Sequence, residues 1–133
     1  MAIKPSAIRI EVRTATDAAG RRAFIRAGSV PYKDDPHFVM PLEFELGQRL
    51  DPTKNPGLKG AEHQLWIAYL DGAPAGRISA IVNPLHLQRH KDETAHFGFL
   101  EAIDHPGVFT ALLGAAEDWA RSRGMKRIAG PYS

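Results

Sequence analysis

The chain has 133 residues, 44% of them hydrophobic, and a formal net charge of +2, enough for one buried core and one domain spanning 1–133. It has no cysteine, which excludes disulfides, thiolate nucleophiles and cysteine-type zinc sites. No apolar run is long enough to span a bilayer, no secretory pattern follows Met1, and no Arg/Lys patch is interleaved with aromatics, so a soluble cytoplasmic protein without a nucleic-acid partner is expected.

Ile8, Ile10 and Val12 alternate with Arg9, Glu11 and Arg13, the period of a half-buried strand. Thr16 or Asp17 can cap a following helix whose Ala23, Phe24 and Ala27 face inward, with Gly28 as its end. Pro31 to His37 reads as a loop. Pro41 suits the first turn of a second helix with Leu42, Leu46 and Leu50 on one face. Asp51 to Gly60, with two prolines and two glycines, reads as a flexible loop and a candidate lid.

From Leu65 the pattern changes. LWIAYL and GRISAIV flank Asp71-Gly72-Ala73-Pro74-Ala75, a hairpin signal, and Thr94 to Ile103 is a third apolar and aromatic run. Gly98 inside that run marks a bulge or a close backbone approach. From Val108 the helical period takes over: Val108, Leu112, Ala116 and Trp119 share a face, Asp104 or His105 can cap the helix, and Pro106 fixes its first turn. Gly124 stops it, and Met125 to Ala129 restarts an extended segment. The predicted fold class is therefore α/β, more closely α+β: a mixed, mostly antiparallel sheet flanked by helices in the order β-α-α-β-β-β-α-β.

Period-two alternation places Ala95, Phe97, Phe99 and Glu101 on one strand face, with a carboxylate at the end of an aromatic stripe. Such a position could poise Glu101 as a general base, directly or through a water; a strand-end carboxylate paired with Arg77 is the alternative. Phe97, Phe99, Leu112 and Trp119 read as core, or as the lining of an acyl channel. His86, His90, Asp92 and His96 would need a helix to hold a metal, whereas Pro84 and the charged run Arg89 to Glu93 read as an exposed connection between strands; no metal is expected. His86 and His90 remain candidate bases, since an imidazole titrates near neutrality, or solvated loop histidines.

The layout resembles the GCN5-related N-acetyltransferase (GNAT) superfamily. Asp34-Asp35-Pro36 with Pro41-Leu42, then Gly76 to Ile81 with Asn83, His86 and His90, then Phe97 to Glu101 and the closing Gly130-Pro131, are similar in order to the bacterial ceramide synthase-like acyltransferases. The resemblance implies acyl-CoA or acetyl-CoA as co-substrate, its pantetheine arm along the third run at Phe99 and Leu100, and its pyrophosphate at the helix start at Gly107 and Val108. It also implies an amine acceptor, a small molecule or a lipid, near Asn83, His86 and Phe97. A peripheral contact with the inner membrane surface and a homodimer are compatible with it. The chain departs from the superfamily's Arg/Gln-x-x-Gly-x-Gly/Ala loop: Asp104 and a lone Gly107 stand there, which argues against a plain acetyl donor. A GNAT fold continues through further elements after this point, so the last strand is expected as an exposed edge and the chain as the front part of a longer protein. A non-catalytic module binding acyl-CoA or a protein partner is the alternative function.

Overall fold

The computed structural model describes residues 9–38, 43–58, 60–84 and 92–132. They form strand β1 (Ile10–Thr14), helix α1 (Ala18–Ala27), helix α2 (Glu43–Leu50), strands β2 (Glu62–Leu70), β3 (Ala73–Val82) and β4 (Thr94–Ala102), helix α3 (Pro106–Ser122) and strand β5 (Arg127–Ala129). The sheet runs β1-β2-β3-β4-β5, antiparallel except for the parallel β4–β5 pair, in the expected element order. β5 pairs with β4 through three residues and lies at the sheet edge, as expected.

Local chemistry explains the boundaries. Asp71 (φ 49°) and Gly72 (φ 85°) make the two-residue turn that sets Leu70 opposite Ala73. Paired positive φ values match the right-handed strand twist, and Asp and Gly tolerate them. Asp17 caps α1, its Oδ1 accepting from Gly20 N–H at 2.6 Å. Of the residues expected inward on α1, Phe24 and Ala27 are buried and Ala23 packs beside them. On α2, Leu46 and Leu50 are buried; Pro41 and Leu42 lie outside the described residues, as does Ile8.

The sheet separates two cores. On one face, Phe24, Ile25, Leu46 and Leu50 from the helices α1 and α2 meet Leu65 and Ile67 of β2. On the other, Val108, Leu112 and Ala116 of α3 meet Trp66, Ala68, Ile78 and Ala80. Because β2 and β3 are covered on both faces, LWIAYL and GRISAIV read as nearly continuous apolar runs. In the described part of the stretch 51–60, Asp51 binds the backbone and hydroxyl of Thr53, Asn55 binds Arg49 O, and buried Leu58 anchors a 3-10 turn at Pro56–Leu58.

Candidate active site

The decisive local feature lies in β4. Arg77 faces Glu101 and Ser79 faces Gly98, so Phe99 and Leu100 together oppose the single residue Ile78. This is a β-bulge beside Gly98, as that glycine suggested, with Phe99 itself at φ 54°. One extra residue flips the alternation. Phe97 packs with the α3 core and so does Leu100, whereas Phe99 packs with the α1/α2 core. The expectation that Ala95, Phe97, Phe99 and Glu101 share one face is therefore corrected: the bulge separates Phe97 from Phe99 and Glu101.

On the α1/α2 face, Glu101 accepts a 2.6 Å hydrogen bond from the hydroxyl of Tyr32, which a 3-10 turn (Val30–Tyr32) after α1 brings in from 69 positions away. Tyr32 stacks on Phe38 with ring centroids 4.5 Å apart. That hydrogen bond, with burial and the carboxylate charge adding to it, pushes the Tyr32 phenol above its ordinary pKa. The alternative pairing of Glu101 with Arg77 gives way to another arrangement, with Tyr32 as the side-chain partner of Glu101. Arg77, only 8% exposed, donates to the carbonyl oxygens of Phe99 (3.1 Å), Phe24 and Ile25 (both 3.3 Å). Burial pulls its pKa below the usual arginine value, opposed by the charge of Glu101.

Ser79 and Tyr132 complete the surround. The Ser79 hydroxyl, fully buried, lies 3.1 Å from Gly98 O and 2.7 Å from the Tyr132 hydroxyl. Tyr132, 41% exposed, also meets the Phe99 ring edge-on, and the partial burial of its hydroxyl beside Ser79 raises its pKa. Tyr32 and Tyr132 were not singled out from sequence; Arg77 and Ser79 stood only within the Gly76–Ile81 motif, with Arg77 also an alternative partner of Glu101. Arg77 and Ser79 carried a signal, polar residues at alternate positions of an apolar strand; Tyr32 and Tyr132 carried none, because their contacts are long-range.

The other expected residues fall as follows. His105 caps α3, its Nδ1 accepting from Val108 N–H at 3.3 Å, and Pro106 opens the helix. The Val108 side chain is fully buried. A Cβ on Gly107 would come within 2.9 Å of both His105 and Ile10, so this glycine serves packing. The helix start thus has reduced capacity for a phosphate: Pro106 offers no N–H and that of Val108 is taken. Asn83 directly follows β3; His86 and His90 lie outside the described residues. His63 on β2 is held neutral by burial, its pKa lowered to about 4, at a groove with Glu62, Ser122 and Arg123. Among the described residues no helix is long and apolar enough to cross a membrane.

Residues 22–130 match the model of the acetyltransferase (GNAT) family. The chain belongs to that family. It is 43% identical over 122 residues to Protein YghO of Escherichia coli (strain K12), a match covering 92% of this chain and 31% of that protein. It is 41% identical over 100 residues to a bacterial ceramide synthase of Caulobacter vibrioides, covering 74% and 26% respectively, in line with the narrower likeness read from the motifs. The chain therefore spans less than a third of the length of either relative. Among solved structures, the aminoglycoside N-acetyltransferase AAC(6')-Iy in complex with CoA superposes with a TM-score of 0.62 at 13% identity, covering 98% of this chain and 82% of that one. At that identity the likeness is one of fold, and within this GNAT fold the bulge and Glu101 lie toward the C-terminal end of β4, the strand beside the edge strand β5.

Proposed function

We propose that this GNAT domain transfers an acyl group from acyl-CoA to an amine, with Glu101 as the base. The observation that carries the reading is the carboxylate of Glu101, held by Tyr32 directly beside a bulge in β4. In the step, the amine nitrogen attacks the thioester carbonyl carbon, the C–N bond forms and the C–S bond breaks. The amine proton goes to Glu101, directly or through a water, and the CoA thiolate leaves and takes a proton from solvent. A bulge leaves backbone groups of Phe99 and Leu100 outside the regular ladder, where an N–H can meet the developing oxyanion. Asn83 is assigned to the acceptor, with His86 and His90 as further acceptor contacts or an alternative base, and the backbone at Gly107 to the CoA end; Phe97 lies on the α3 side, across the sheet from Glu101.

The finer reading is a long-chain acyl group and a sphingoid-type amine, met at the inner face of the membrane. It is supported by the 41% identity to a bacterial ceramide synthase. The helix start, where Pro106 offers no N–H and that of Val108 is taken by His105, favours a second reading, a module that binds acyl-CoA or a protein without chemistry. Glu101→Gln separates the two. Turnover of palmitoyl-CoA with a sphingoid amine is expected to fall by about 10²–10⁴-fold while palmitoyl-CoA affinity holds within about twofold. Unchanged turnover would remove Glu101 as the base, and no turnover in the unaltered protein with any amine would leave the binding module.

A further inference from the structure

Arg77 occupies a place that is costly to fill. It stands mid-strand between Gly76 and Ile78, is 8% exposed, and removes a full charge from water, which is tolerated only where hydrogen bonds and compensating dipoles are supplied. They come from two separate elements. Two are carbonyls in the last turn of α1, Phe24 and Ile25, at the negative end of that helix. The third is the carbonyl of Phe99, the bulge residue at φ 54°. The guanidinium also lies 5.0 Å from the Phe24 ring centroid and 5.6 Å from that of Phe99, and the two rings meet edge-on.

Gly28 belongs to the same device. Its backbone is ordinary right-handed helix, φ −67° and ψ −19°, which any residue adopts. Yet a Cβ there would overlap the Arg77 guanidinium, reaching 2.7 Å from Nε. The guanidinium is tied to three carbonyls, so it cannot swing aside cheaply. Glycine at 28 is therefore explained by Arg77 rather than by the turn.

We propose that Arg77 is a positioning residue for the transfer reaction. It clamps the β4 bulge to the end of α1, holding the Phe99–Leu100 backbone toward the donor carbonyl and Glu101 toward the acceptor. This role rests on the acyl-transfer reading. Planarity matters as much as charge: one fork reaches both elements, which the single ammonium of a lysine does not do.

The test compares the unaltered protein with Arg77→Met, Arg77→Lys, Gly28→Ala and the Gly28→Ala/Arg77→Met pair. Backbone amide exchange is read at 98–101 and along α3, and affinity is measured for palmitoyl-CoA and for its thioether analogue S-hexadecyl-CoA, which keeps the chain and lacks the carbonyl. Arg77→Met and Arg77→Lys are expected to speed exchange at 98–101 by about tenfold with α3 little changed, and to weaken palmitoyl-CoA by about tenfold with the thioether within about twofold. Gly28→Ala reproduces this with the arginine still present, and in the Met background it adds little, because the group it displaces is gone. Equal weakening of both ligands, equal loss of protection in α3, or a retained thioester preference in Arg77→Met and Gly28→Ala would overturn the role of Arg77. Binding of neither ligand by the unaltered protein would instead overturn the transfer reading, and this role with it.

Discussion

The Tyr32–Glu101 hydrogen bond ties the connection after α1 to the end of β4 through two groups that both hold or accept protons. Tyr32 has its pKa raised, first by that bond and then by burial, so its protonated form is favoured in the folded state. The sign follows: the contribution is fully present below the unfolded tyrosine value near 10 and is lost as pH rises through the higher folded value. Tyr32→Phe is expected to lower stability at neutral pH by about 0.5–1 kcal/mol, the size of a part-exposed hydrogen bond screened by solvent, with the gap from the unaltered protein narrowing above about pH 10. Chemical denaturation across pH measures it; a constant gap up to high pH would mean that the phenol proton is not what the bond depends on.

At the scale of elements, the sequence told most where the signal was local. Asp71-Gly72 announced the β2–β3 hairpin, Gly98 announced the bulge, and His105-Pro106 announced the start of α3. What it could not give was the consequence of the bulge. Alternation rests on a period of two, and one inserted residue moves every later side chain to the other face, which is why Phe97 and Phe99 part company. Nor could spacing announce Tyr32, whose partner is 69 positions away. The helical stripe of α3 was legible because it is long: Val108, Leu112 and Ala116 are all fully buried. Leu112→Ala is expected to cost about 2–5 kcal/mol, since the sheet beneath cannot collapse into the space. Loss of less than about 1 kcal/mol in urea unfolding would show that the α3 core is looser than this packing implies.

For the whole molecule, the order β1-β2-β3-β4-β5 places polar chemistry on one face of the sheet and the α3 core on the other. Arg77, Ser79, Glu101, Tyr32 and Tyr132 lie around Phe99 on the α1/α2 side, so the strand bulge, the carboxylate and two helices meet at one point. The family was readable from element order and ordered motifs; the donor and acceptor were not, because the residues that would select them are spread over several elements. Calorimetric titration of the protein with palmitoyl-CoA, acetyl-CoA and free CoA addresses the central claim most directly. The account predicts saturable binding that depends on the thioester and is tighter for palmitoyl-CoA than for acetyl-CoA. Heat from none of the three would contradict it.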